Sequence, residues 1–119
     1  MGSYYSGYVI ILIVIILTVL SKNGISIRLT QERWSHIITS HLEIKSQDLK
    51  TIISVVENPE FILKGDLDEL LAIKKKAGSK SWFVIPYKEI GESDGFILTA
   101  YLTTDIRWLF QRKVIWSKE

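Results

Sequence analysis

Cysteine is absent from this 119-residue chain. Its absence removes a disulfide framework, thiolate zinc sites, iron–sulfur clusters and a cysteine nucleophile together. Histidine occurs only twice, too few for a three-histidine metal site. An excess of one charge is also lacking: the net charge of +2 is too small to advertise nucleic-acid binding by itself. What is present is an ordinary globular balance, 47% hydrophobic and 24% charged residues, which excludes disorder as the main state. The length implies one domain.

Charge is missing altogether before Lys22, where Tyr8 to Leu20 reads YVIILIVIILTVL with Thr18 as its one clearly polar member. Two readings compete. In the first, Tyr4 to Leu20 is a transmembrane helix with Tyr4, Tyr5 and Tyr8 at its outer interface, at the short limit of what spans a bilayer. Lys22, Arg28 and Arg33 follow it, which places the remainder in the cytoplasm, anchored to the inner face of the membrane. In the second, the run is a buried β-strand of a soluble cytoplasmic protein, and Asn23-Gly24 turns it into a hairpin with Ile25 to Leu29. A mixed case between the two has only the end of the run in the sheet. The helix is favoured, because two short amphipathic helices leave little to cover a long strand that is apolar on both faces. A cleaved signal peptide is disfavoured, since the segment has neither a positive start nor a small-residue cleavage site. Either way residues 1–21 form an apolar segment ahead of a domain over residues 22–119.

Beyond Lys22 the pattern predicts helices first. Thr30 is a candidate N-cap for a helix over Gln31 to Ser40, in which Trp34, Ile37, Ile38 and His41 make one stripe. Ser46 caps a second helix, with Leu49, Ile52, Ile53 and Val56 at the same spacing, which stops at Asn58-Pro59. Four strand-like runs follow: Phe61–Leu63, Leu70–Lys74, Ser81–Ile85 and Phe96–Thr103. The breaks between them suit antiparallel hairpins and are too short for helical crossovers. Pro86 should end its strand or mark an edge. Asp105–Trp116 reads as a turn or short helix and then an edge strand. The expected fold is α+β: two N-terminal helices packed on an antiparallel sheet of about four to five strands, preceded by the apolar segment.

Strict alternation along Phe96–Thr104 puts Ile97, Thr99, Tyr101 and Thr103 on one face and Leu98, Ala100, Leu102 and Thr104 on the other. The hydroxyl-bearing face is either an ordinary solvated strand face or a hydrogen-bonding floor for a polar ligand such as phosphate. His36 and His41 lie about 140° apart around a helix, so they are not the i, i+4 pair that grips a metal. Arg33 stands one turn before His36, where cation and imidazole could address the same place. His41 could equally be a helix-end histidine satisfied by carbonyls and the helix dipole. Lys74, Lys75, Lys76 and Lys80 surround a strand turn, and Arg107, Arg112 and Lys113 lie near the C-terminus. They read as a solvated tip or as a phosphate-contacting rim, with Trp82, Tyr87 and Trp108 available to stack bases.

Taken in order, IRLTQERWSHIITSHLE (Ile27–Glu43), VVENPEFIL (Val55–Leu63) and ILTAYLTTD (Ile97–Asp105) resemble a small prokaryotic, phage-associated family. The chain resembles the barnase–EndoU–colicin–RelE-like nuclease superfamily, whose members are mostly toxin-type, metal-independent ribonucleases. Leu42 stands where that family commonly has proline after the second histidine. The resemblance implies RNA as substrate and 2′-hydroxyl attack on phosphorus with histidine acid–base catalysis. It implies no metal or organic cofactor, a neutralising antitoxin as partner, and gives no DNA-specific signal. On it, His36 is the acid–base group, His41 orients or replaces it, and Arg33 is the phosphate cation. Thr99, Tyr101 and Thr103 hold substrate oxygens, with Lys74 or Lys76 adding attraction. The alternative is a non-catalytic RNA- or protein-binding module of the same fold, tethered to a membrane or a partner.

Overall fold

The computed structural model describes residues 13–119. Ile15–Leu20 (β1) and Ser26–Thr30 (β2) form an antiparallel hairpin, with Leu17 opposite Leu29 and Val19 opposite Ile27. The turn closes through two backbone hydrogen bonds of 2.9 Å, from Ser21 N–H to the Ile25 carbonyl and from Gly24 N–H to the Ser21 carbonyl. Gly24 has φ +76°, a left-handed conformation that glycine adopts without steric cost. The expectation of one membrane helix over residues 4–20 is therefore corrected from residue 15 onward, and residues 4–12 lie outside the described part. The physical reason is that β-branched Ile15, Ile16 and Val19 favour extended backbone, and β2 supplies ladder partners, Thr30 for Ile15 and Ile27 for Val19. Among the described residues no helix is long and apolar enough to cross a membrane.

Thr30 ends β2 and caps α1 (Gln31–Ser40), its Oγ1 accepting a 3.1 Å hydrogen bond from Arg33 N–H. Trp34 and Ile37 form the buried stripe of α1. A 3-10 turn, Ser46–Asp48, leads into α2 (Leu49–Glu57), which buries Ile52, Val55 and Val56 and ends at Asn58, ahead of Pro59. The chain continues through β3 (Phe61–Lys64), β4 (Leu70–Lys75), β5 (Trp82–Ile90), β6 (Asp94–Ile97), β7 (Tyr101–Thr103), α3 (Ile106–Phe110) and β8 (Val114–Ser117).

All eight strands join one sheet in the order β1-β2-β6-β5-β4-β3-β8, with β7 alongside β5. This corrects the expected architecture of two N-terminal helices on a four- to five-stranded antiparallel sheet. A strand hairpin precedes the helices, the sheet is mixed because β2 runs parallel to β6, and the run 96–103 is divided between two strands. The two additional strands, β1 and β2, are those of the hairpin reading, which the favoured helix reading of the uncharged N-terminal run displaced. That run carries no polar alternation to mark it as sheet.

The helices α1 and α2 cover one face of the sheet, over Ile27, Leu29, Ile85, Tyr87 and Ile97. The opposite face buries Leu63, Leu71, Ile73, Trp82 and Val84 beneath Leu109 of α3. Central β5 is thus covered on both sides, which is why Trp82 to Tyr87 is a continuous buried run rather than an alternating one.

Pro86 lies inside β5, neither ending it nor marking an edge of the sheet. It sits opposite Leu71 of β4, and its carbonyl accepts from Leu98 N–H at 2.9 Å on the other side. On that side proline has no N–H to offer, and there the neighbouring strand is broken. Tyr87 pairs with Ile97 and Val84 with Tyr101, so three residues, Leu98 to Ala100, face two on β5. One extra residue reverses the side-chain alternation. Ile97, Ala100 and Leu102 consequently share the α1–α2 face, while Tyr101 packs on the opposite one. The single face expected for Ile97, Thr99, Tyr101 and Thr103 is corrected accordingly.

Candidate functional site

The end of α1 and the short strand β7 meet at one corner of the sheet. His41 follows the last turn of α1, its N–H held by the Ile37 carbonyl at 2.8 Å. Its imidazole lies 5.7 Å from the Tyr101 ring, centroid to centroid, with the planes tilted by 30°. Glu43 closes the corner: its Oε2 is 3.6 Å from His41 Nδ1 and accepts a long, 3.4 Å hydrogen bond from Leu102 N–H. The chain after α1 is thereby tied to β7.

Arg112 lies within electrostatic range of the Tyr101 phenol. Its side chain is only 14% exposed and its Nη1 pairs with Asp66 Oδ1 at 2.9 Å. Its guanidinium stands 4.5 Å from the Trp108 ring centroid, a cation–π contact that fixes a planar cation. Its Nε is buried without a partner among the described residues. Asp105 caps α3 by accepting from Trp108 N–H at 3.0 Å. Behind it Phe110 packs edge-on against Phe61 and Trp82, at 5.0 and 5.9 Å, which anchors the segment that delivers Arg112. The Tyr101 phenol is pushed above the ordinary tyrosine range, chiefly by burial, with the Arg112 charge pulling it down and Asp66 and Glu69 pushing it up.

Comparison with family models, with curated proteins and with solved structures returns no match. The corner is therefore read from its own chemistry. A histidine beside a neutral phenol, with a rigid cation in electrostatic range of that phenol, can supply a proton acceptor, a proton donor and an anion partner.

The other sequence candidates are distributed elsewhere. Arg33 lies in the first turn of α1, about 12 Å of helix rise from His41, and lines a depression with Arg28, Phe96 and Ile97. His36 is exposed mid-helix, with its carbonyl accepting from Thr39 Oγ1 at 3.1 Å. Thr103 Oγ1 accepts from Asp105 N–H at 3.1 Å, and so serves the turn into α3. Thr99 sits in the break between β6 and β7, its Oγ1 buried without a partner among the described residues. Lys74 and Lys76 border a groove beside α2. Of the aromatics considered for stacking, Trp82 and Tyr87 are buried in the core and Trp108 is exposed.

Glu43, Asp66 and Arg112 were not singled out as site residues from sequence. The only signal was Arg112 among the basic residues near the C-terminus, beside Trp108. Glu43 is two residues from His41, but nothing in the chain order joins Asp66 or Arg112 to it.

Proposed function

We propose that the chain is a toxin-type, metal-independent endoribonuclease domain whose reacting corner is His41, Tyr101 and Arg112. The observation that carries this reading is the approach of the His41 imidazole to the Tyr101 ring with Arg112 in electrostatic reach of the phenol. The resemblance of RW-x-HI with a second histidine shortly after it, ENP and TAY-x-T to the barnase–EndoU–colicin–RelE-like superfamily supports the ribonuclease reading; His41 is that second histidine and Tyr101 lies in the last motif.

In this mechanism His41 accepts the proton of the substrate's 2′-hydroxyl as its oxygen attacks the adjacent phosphorus. The bond from phosphorus to the 5′-oxygen breaks, and the phenol of Tyr101 gives its proton to that oxygen. A phenol whose pKa is raised by burial is still more acidic than a departing alkoxide, so the transfer runs downhill. Arg112 balances the negative charge that accumulates on the phosphorane oxygens. The imidazolium returns its proton to the phenolate through solvent, which restores both groups. The products are a 2′,3′-cyclic phosphate and a 5′-hydroxyl.

The test is incubation of the full chain with RNA in EDTA, followed by analysis of the ends. Cyclic phosphate that disappears with His41→Ala supports the mechanism. RNA that is bound but left intact overturns it in favour of a binding module.

A further inference from the structure

We infer that the end of the sheet beside α2 is a track for the phosphate backbone of single-stranded RNA, running past Lys74 toward the His41–Tyr101 corner. The inference deepens the ribonuclease reading and rests on it for the identity of the strand.

Two depressions share Lys74 as a common wall. One, of about 340 Å³, lies between α2 and the β4–β5 hairpin and is bordered by Lys74, Lys75 and Lys76 with Thr51 and Ser54. The other, of about 190 Å³, is bordered by Lys22, Lys74, Lys118 and Trp116. Five lysines from three separate stretches of chain therefore line one continuous surface. None of the five has an ion-pair partner among the described residues, whereas Arg28, Lys88 and Arg112 each do. The carboxylates bordering the two depressions are already engaged by backbone: Asp48 Oδ2 accepts from Lys45 N–H at 2.8 Å, and Glu60 Oε2 from Lys75 N–H at 2.7 Å. Cations concentrated without neutralising partners favour a polyanion whose bound counterions they displace.

The surface also has the right position. Lys75 is opposite Trp82 in β5, and Trp82 is opposite Thr103 in β7. Two strand spacings, about 10 Å, separate the lysine row from the strand that carries Tyr101. A strand whose scissile phosphate lay at the corner would place neighbouring phosphates over Lys75 and Lys74. Trp116 favours a single strand. Its half-buried ring, with Lys22 Nζ 5.3 Å from the centroid, offers a stacking surface beside a cation, which unpaired bases use and a closed duplex does not.

Fluorescence anisotropy with a labelled 2′-O-methyl oligouridylate, which cannot be cleaved by 2′-attack, tests the track independently of catalysis. Replacing both Lys74 and Lys76 by alanine should weaken binding at least about tenfold and flatten the salt dependence by roughly 1.4 in log–log slope, two phosphates at about 0.7 each. Lys88→Ala, at a lysine already paired with Asp68, should bind as the unaltered protein does. Trp116→Ala should weaken the single strand more than a duplex of equal length. Unchanged affinity and slope in the double variant would overturn the track. Equal binding of polyglutamate of the same charge would also overturn it, as a general contact for acidic proteins. Retained lysine-dependent binding without cyclic phosphate from cleavable RNA would leave the track standing and remove the nuclease reading. Cleavage with lysine-independent binding would do the reverse.

Discussion

The His41 imidazole and the Tyr101 ring stand 5.7 Å apart, although one ends a helix on one face of the sheet and the other packs on the opposite face. They meet because β7 is the outermost strand at that corner, with β5 as its one strand neighbour among the described residues. The chain after α1 passes alongside it, and Glu43 holds the two together at the Leu102 N–H.

His41→Ala should lower RNA cleavage by about 10²–10⁴-fold, the usual worth of a positioned acid–base group. His36→Ala should leave the rate unchanged, because His36 is exposed on the helix away from the corner. Gel analysis of a labelled RNA in EDTA distinguishes the two. Equal losses in both variants would contradict the assignment to His41.

The alkaline side of the stability profile should carry the signature of two tyrosines. Burial raises the Tyr87 phenol, with the Glu89 charge adding to it, and burial also leads the rise at Tyr101. Above the ordinary phenol value of 10.0 the unfolded chain releases these protons first and so binds fewer than the folded state. Stability is therefore complete below pH 10 and falls as pH rises beyond it, by at most about 1.4 kcal/mol per pH unit for each fully buried group. Urea titrations at stepped pH should show this decline, and Tyr87→Phe should flatten it.

Tyr87→Phe should also be neutral or stabilising at pH 7, by up to about 1 kcal/mol. The Tyr87 hydroxyl is buried without a hydrogen-bond partner among the described residues, and removing such a group removes its desolvation cost. A loss of more than about 1 kcal/mol would reveal a partner for the hydroxyl.

Gly95 is required by close approach rather than by its dihedral angles. A Cβ there would overlap the Lys88 carbonyl oxygen across the β5–β6 pair and the Ile27 Cδ1 beneath it. Gly95→Ala should cost about 1–3 kcal/mol by overpacking, read as a lower urea midpoint with unchanged slope.

Deleting residues 1–20 should abolish the cooperative thermal transition. It removes β1, exposes the ladder edge of β2 and uncovers the side of α2 that packs on β1. A membrane anchor could be removed without that cost. A folded, monomeric product would show that the hairpin is dispensable.

The sequence by itself determined the local elements whose signals are local. Thr30 caps α1 with its own side chain, Trp34 and Ile37 mark the buried stripe, and Asn58-Pro59 ends α2, each within a few residues of what it decides. It also held both members of the central pair, His41 and Tyr101. Only the tertiary structure decided that they belong together and that Arg33 and His36 do not join them. The ring approach depends on which strand lies outermost and on which face each residue turns to. One residue controls the latter: Pro86, lacking an N–H toward β6 and β7, faces an extra residue in the partner strand and reverses its alternation. No period-two reading of Phe96 to Thr104 can register that, because the cause lies in a different strand. The uncharged N-terminal run shows the same limit. Apolar on every side, it gives no period to distinguish helix from strand, and its last six residues become β1 because Ser26–Thr30 folds back beside them and completes their hydrogen bonds.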